Sequence, residues 1–190
     1  MLFRLDVRTD DNDYLEFNKF HALRSPYRKN PYRSLQVIMG VLVGVLCIRQ
    51  LVEFGFTSGA LCRAIPTLIA GALLIAFMPK IWLLSLKNTV KQMTKNGKPA
   101  YHPAETLEFD EDIFTQSTEE ERSEMKYSLI ERVSVVDEKY IYLHTAAIRA
   151  QILPVSAFES REQYEAFLAF IATKCDKVDV YPPKGKKKQA

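Results

Sequence analysis

The sequence predicts an α+β membrane protein: a two-helix transmembrane hairpin joined to an antiparallel β domain that a C-terminal helix caps. Three observations predict this class. Apolar residues are concentrated between residues 35 and 86. Apolar and polar residues alternate in short runs between residues 105 and 154, as in half-buried strands. After Ser160 the apolar spacing changes to that of one helix face.

The bulk composition sets limits on the function. The 190 residues are 47% hydrophobic, carry a net charge of +3 and have a mean hydropathy of −0.12. These averages are those of a soluble protein, so the clustering of apolar residues predicts the membrane segment. The mild charge, without a basic stripe that alternates with aromatics, predicts no nucleic-acid partner. Three cysteines without CxxC spacing exclude a disulfide framework and a zinc knuckle.

Residues 1–34 are predicted to form a strand and an amphipathic helix. The run "LFRLDV" alternates and places Phe3, Leu5 and Val7 on one face. The following "TDDNDYLEFNKFHAL" has acidic capping residues and helical apolar spacing. Because a lone strand is not stable, we expect Leu2–Val7 to join the sheet of the C-terminal domain. The hairpin would then be inserted into one β domain.

The segment 35–86 is predicted to form the hairpin, with helices at about 35–56 and 60–84. The first uninterrupted apolar run, Leu35–Ile48, is about 21 Å long as a helix, and its continuation to Phe56 completes the span of about 30 Å. The second run carries no charge between residues 64 and 78.

Two features of the first helix are candidate functional elements. Gly40 and Gly44 form a GxxxG motif, which allows close helix packing. The motif predicts either homodimerisation or packing against the second helix of the hairpin. Arg49 and Glu53 are four residues apart and are predicted to form an intramembrane ion pair on one helix face.

Basic residues flank both ends of the hairpin and predict its orientation. By the positive-inside rule, both termini are expected in the cytoplasm and the connecting turn on the other side. The basic flanks are Lys19, Arg24, Arg28, Lys29 and Arg33 before the hairpin, and Lys87, Lys91, Lys95 and Lys98 after it.

Residues 100–175 are predicted to form the β domain, and residues 176–190 a basic disordered tail. A capping box of Ser160 and Gln163 marks the start of the last helix. The tail is either simply solvated or attracted to anionic lipid headgroups of the inner leaflet. The candidate lipid contacts are Lys184, Lys186, Lys187 and Lys188.

Four segments carry a resemblance to a known family, and they extend over most of the chain. They are Thr9–Asn18 ("TDDNDYLEFN"), Tyr127–Val133, Lys139–His144 and Ile152–Phe158 ("ILPVSAF"). With the two apolar helices, they resemble the YcxB-like bacterial membrane proteins. The resemblance implies a domain similar to pleckstrin-homology (PH) folds and a place in the bacterial cytoplasmic (inner) membrane. It implies no reaction.

No pattern in the sequence indicates catalysis. HExxH, GxSxG and P-loop motifs are missing, and the three histidines lie on different predicted elements. We therefore expect no enzyme activity, cofactor or metal. The tyrosines at 101, 127, 140 and 142 either line a groove or belong to a half-buried strand.

Two functions are expected. The first is a non-enzymatic inner-membrane protein that presents a cytoplasmic PH-like domain to a protein partner, a second copy of itself or anionic lipid headgroups. The alternative is a small accessory subunit of a membrane transport or envelope complex, which acts through its transmembrane hairpin.

Overall fold

The computed structural model describes residues 1–27, 31–55, 57–97, 99, 101–147 and 149–182. The chain divides into two compact units. Residues 1–17 and 90–190 form the first, the β unit, and residues 18–89 form the second, the hairpin unit.

Four α-helices and eight strands make up the described chain. The helices are α1 (Asp11–Leu23), α2 (Pro31–Phe54), α3 (Ser58–Asn96) and α4 (Arg161–Lys174). The strands are β1 (Phe3–Arg8), β2 (Ala104–Phe109), β3 (Ile113–Ser117), β4 (Arg122–Lys126), β5 (Arg132–Val136), β6 (Tyr140–Ala146), β7 (Arg149–Pro154) and β8 (Val178–Tyr181).

The strands form two four-stranded sheets, in the orders β1-β2-β3-β4 and β7-β6-β5-β8. All neighbours are antiparallel except β5 and β8, which are parallel. β1 pairs with β2 over its whole length, from Phe3 opposite Phe109 to Arg8 opposite Ala104. The N-terminal strand therefore belongs to the sheet, and the whole hairpin unit lies between two neighbouring strands along the chain.

The strand β8 corrects the first part of the prediction that residues 176–190 are a disordered tail, and residues 183–190 lie outside the described chain. Val178–Tyr181 pairs with β5, from Val133 opposite Val178 to Val136 opposite Tyr181. The Asp179 carboxylate accepts a hydrogen bond from Arg132 of β5. The run "VDVY" is rich in strand-forming residues, but it has only four residues and precedes a lysine-rich end, which hides its signal.

The core of the β unit contains apolar side chains from both sheets and from α4. The rings of Phe109 (β2) and Phe167 (α4) meet edge to face, with centroids 4.9 Å apart. The N-cap half of the predicted capping box is present, because Ser160 Oγ accepts a hydrogen bond from Gln163 N at 3.1 Å. The Gln163 side chain departs from the predicted box, since its Oε1 accepts from Glu159 N, the residue before the N-cap, at 2.7 Å. The cap thus begins the helix whose Phe167 fills the core.

The strand β6 is buried on both faces. Ile141 and Leu143 face the core, and Tyr142 and His144 are also fully buried on the opposite face. The Phe17 ring of α1 lies 5.1 Å from the Tyr142 ring, measured between centroids. Helix α1 therefore covers a face that alternation alone predicts to be polar.

Side-chain contacts join α2 and α3 within the hairpin unit. Gln36 Nε2 donates to Ile75 O at 3.4 Å, and Gln50 Nε2 donates to Thr67 Oγ1 at 3.3 Å. Residues Ser34–Phe54 and Ser58–Lys95 are each long and apolar enough to cross a membrane, judged by length and composition.

The second helix is longer than the predicted 60–84, which is a correction. α3 continues through two internal prolines and ends at Asn96, so its 39 residues are about 58 Å long. The extension beyond the apolar run is polar, which is why hydropathy alone does not detect it.

Candidate functional site

The predicted residues of the hairpin lie on its accessible surface. A Cβ added at Gly40 or Gly44 would meet nothing within 4 Å, whereas one at Gly71 would lie 2.5 Å from Val43 Cγ2. The close approach within the hairpin therefore involves Gly71, and Gly40 and Gly44 stay open.

The structure describes the predicted ion pair of the first hairpin helix but not the four predicted lysines of the tail. Arg49 Nε and Glu53 Oε1 are 2.9 Å apart, with side chains 70% and 47% exposed. The pair is therefore present, on an accessible helix face. The four lysines of the tail lie outside the described residues.

The β unit contains a polar cleft between its two sheets, which we call the Glu105 cleft. It consists of two neighbouring cavities of about 290 and 570 Å³. Both are lined by His102, which precedes β2, and by Arg149, Ala150 and Gln151 of β7. These volumes are in the range of small-molecule and peptide sites.

Glu105 is the buried charged residue of this cleft. It is only 7% exposed, because alternation along β2 places it on the same face as Leu107 and Phe109 of the core. The Glu105 signal in the sequence is thus a carboxylate in register with core residues. Charged residues are common at strand ends, so this signal alone does not predict a site.

Two glutamines bind the Glu105 carboxylate. Gln116 Nε2 of β3 donates to Oε2 at 2.5 Å, and Gln151 Nε2 of β7 donates to Oε1. Gln116 belongs to the same sheet as Glu105 and Gln151 to the other sheet, so the carboxylate joins the two sheets.

Burial raises the pKa of Glu105 above its ordinary value of 4.5. The hydrogen bond from Gln116, the charge of His102 and the hydrogen bond from Gln151 oppose this effect, in that order. Glu105 forms no ion pair with any residue that the structure describes. The carboxylate is therefore held by neutral amides, and no cation of the described residues contacts it.

Aromatic side chains form one wall of the smaller cavity. They are Tyr14 and Phe17 of α1 and Tyr101 of the segment before β2. The rings of Tyr14 and Tyr101 have centroids 5.2 Å apart. Tyr101 is fixed because its hydroxyl donates to Asp11 Oδ1 at 2.6 Å. Burial, and then the hydrogen bond to Asp11, raise the pKa of the Tyr101 hydroxyl.

The four tyrosines considered from the sequence have different roles. Tyr101 lines the smaller cavity. Tyr127 and Tyr142 are buried in packed regions of the β unit. Tyr140 donates its hydroxyl hydrogen to Asp13 Oδ1 at 2.8 Å. Of the two alternatives, the groove therefore applies to Tyr101, and packing within the β unit applies to Tyr127 and Tyr142.

The larger cavity combines polar walls with apolar side chains. Phe114, Met125 and Leu129 contribute the apolar part, and Leu129 is 53% exposed. Thr118, Ser123 and Thr145 add hydroxyl groups from both sheets. This arrangement suits binding by hydrogen bonds together with apolar contact.

One serine–histidine contact exists in the described β unit, but it is inaccessible. Ser134 Oγ and His144 Nε2 are 3.2 Å apart, and both residues are 0% exposed. Within the described residues, no group of three or more His, Cys, Asp or Glu side chains is arranged to hold a metal ion. The Glu105 cleft is therefore the best candidate site, and its groups are suited to binding.

One family model is similar to part of this unit. Residues 109–171 match the model of the YcxB-like protein family. We call this matched segment the YcxB-like region. It runs from the end of β2 to α4, and so supplies Gln116, Arg149 and Gln151 to the cleft. No curated protein and no solved structure has significant similarity to the chain.

Proposed function

We propose that this YcxB-like protein is a non-enzymatic inner-membrane protein of bacteria, which presents a cytoplasmic PH-like domain and binds its partner in the Glu105 cleft. The pairing of β1 with β2 carries the proposal. These neighbouring strands lie on either side of the hairpin along the chain. Removing the hairpin together with everything before it would remove β1 from the sheet of the β unit. The membrane segment is therefore an insertion within the proposed binding domain.

The orientation is supported by the charges on α3. Lys87, Lys91 and Lys95 follow the apolar run at intervals of four residues, and all three are exposed. Residues at this spacing share one helix face. Under the positive-inside rule, this basic stripe favours the cytoplasm as the compartment of the β unit.

The arrangement of strands supports a PH-like fold. Two packed sheets, with β1–β4 in one and β5–β7 in the other, are followed by α4, whose Phe167 enters the core. β8 is an addition to this plan. Fold likeness does not define a ligand, so the proposed binding function depends on the cleft.

The alternative function, an accessory subunit of a membrane complex that acts through the hairpin, has its own supporting observation. Gly40 and Gly44 are open, as is the exposed apolar surface of α2 around them. A partner helix packing there would find room for close approach.

Site-specific photocross-linking in cells tests these functions against each other. p-Benzoyl-phenylalanine is placed at Ser123 in the cleft, at Thr173 on α4 as a matched surface control, and at Val41 on α2. A discrete adduct from Ser123 that is missing from Thr173 supports the cleft as the partner site. Adducts from Val41 alone support the accessory-subunit function, and equal adducts at Ser123 and Thr173 contradict a role for the cleft.

A further inference from the structure

The Glu105 cleft contains a buried carboxylate that no cation of the described chain contacts. Removing a carboxylate from water is unfavourable unless hydrogen bonds and an opposite charge compensate. At Glu105 the hydrogen bonds are present, but no described Lys, Arg or His nitrogen lies within 4.0 Å of the carboxylate. Among the described residues, the carboxylate therefore has the longer-range charge of His102 to offset its own, but no contacting cation.

The hydrogen bonds around Glu105 favour its ionised form. Each carboxylate oxygen accepts one hydrogen bond from a glutamine amide. An ionised carboxylate has about four acceptor positions, so both oxygens retain capacity for a further donor. A protonated carboxyl group would have to direct its own O–H toward another acceptor.

The aromatic lining of the smaller cavity also suits a positively charged ligand. Tyr14, Phe17 and Tyr101 present aromatic rings around a volume of about 290 Å³. Ring faces attract cations, and grouped aromatic rings are a known arrangement for binding organic ammonium ions. Tyr101 is preorganised for this by its hydrogen bond to Asp11.

We propose that the smaller cavity of the Glu105 cleft binds an organic ammonium group, through the Glu105 carboxylate and the rings of Tyr14, Phe17 and Tyr101. This inference deepens the proposed function and rests on it. The ammonium group comes either from a small amine or from a lysine side chain of a protein partner. The chemistry is the same for both sources.

Two basic residues that line the cavity allow a test of whether the ligand is a cation or an anion. Arg149 and His102 line the cavity but are exposed, and they oppose a cation that approaches Glu105. Removing the Arg149 charge should therefore strengthen ammonium binding, whereas removing the Glu105 charge should weaken it. A site for an anion would respond in the opposite way to both changes.

The experiment uses the full-length protein in dodecyl maltoside micelles and an amine-free phosphate buffer. Binding of n-butylammonium is measured by saturation-transfer difference NMR, with 1-butanol as the uncharged probe of the same length. We expect saturable binding of n-butylammonium and none of 1-butanol. Glu105→Gln should weaken n-butylammonium binding by about tenfold or more, since hydrogen bonds to charged groups contribute on this scale. Arg149→Gln should strengthen it.

A second probe separates the two sources of the ammonium group. Nα-acetyl-lysine methylamide presents the lysine side chain as it occurs in a protein. Tighter binding of this compound than of n-butylammonium supports a lysine of a partner, and the reverse supports a small amine.

Three results would overturn the ammonium site. They are equal binding of n-butylammonium and 1-butanol, binding that Glu105→Gln leaves unchanged, and binding that Arg149→Gln weakens. Circular dichroism melting shows whether each variant is folded, and the Arg149 result stands if Glu105→Gln unfolds. The cross-linking test at Ser123 in the larger cavity is independent, so a partner captured there without ammonium binding removes this inference alone.

Discussion

Gln151 of β7 donates a hydrogen bond to the Glu105 carboxylate of β2, although the two strands belong to different sheets. This contact crosses the cleft and links a residue of the YcxB-like region to one that lies before it. Glu105 also accepts a hydrogen bond from Gln116, so one buried carboxyl group is hydrogen-bonded to residues of both sheets.

We expect Gln151→Ala to lower the free energy of unfolding by about 1 to 3 kcal/mol, because it leaves one oxygen of a buried carboxylate without its donor. The measurement is chemical denaturation of the full-length protein in micelles. Thr145→Ala is the matched control, since Thr145 also lines the cleft, and its effect should stay within about 0.5 kcal/mol. Equal effects of the two substitutions would contradict the structural role of the Gln151 contact.

The raised pKa of Glu105 predicts a pH dependence of stability. Between the ordinary value of 4.5 and the higher folded-state pKa, the folded protein binds more protons than the unfolded chain. Stability should therefore fall as pH rises through this window. Glu105→Gln should remove that part of the dependence, which unfolding titrations at closely spaced pH values can detect. A wild-type profile and a Glu105→Gln profile of the same slope there would refute the assignment.

Asp11 predicts the opposite dependence at lower pH. Hydrogen bonds from Thr94 Oγ1 and from the Tyr101 hydroxyl, both at 2.6 Å, lower the pKa of Asp11 below its ordinary 3.8. Its stabilising contribution is present above pH 3.8 and is lost as pH falls through the lowered pKa. Asp11→Asn should flatten the acidic limb of the profile, while Asp112→Asn, at an exposed position, should leave it unchanged.

Strands were predictable where one face is apolar and the other polar, since this pattern requires no knowledge of distant residues. β1 follows it, with Leu5 and Val7 buried and Asp6 between them exposed. β6 shows where the pattern fails, because α1 buries Tyr142 and His144 on the face expected to be wet. Glu105 fails similarly, since its partners Gln116 and Gln151 come from two other strands and only the fold brings them together.

The β unit should fail to fold without the N-terminal strand. Leu5 of β1 is 1% exposed and belongs to the same core as Phe109 and Phe167. We expect Leu5→Ala to cost about 2 to 5 kcal/mol, and Leu5→Asp to prevent stable folding. Arg4→Ala is the matched control, because the Arg4 side chain is 56% exposed. Limited proteolysis of the full-length protein compares the Leu5 variants with Arg4→Ala. If Leu5→Asp were as resistant to the protease as Arg4→Ala, β1 would not belong to the folded core.

Substitutions of the hairpin glycines should have two different effects on stability. Gly71→Ala places a Cβ against Val43, whose β-branched side chain has little rotamer freedom, so the α2–α3 contact must shift. We expect a lower melting temperature for Gly71→Ala. A Cβ at Gly40 or Gly44 meets nothing within 4 Å, so Gly40→Ile and Gly44→Ile should not lower the melting temperature of the monomer. Subunit counting by single-molecule photobleaching in vesicles then tests homodimerisation: loss of dimers in these two variants alone assigns the GxxxG face to a second copy. Dimers that survive in both variants would leave that face to lipid or to a different partner helix.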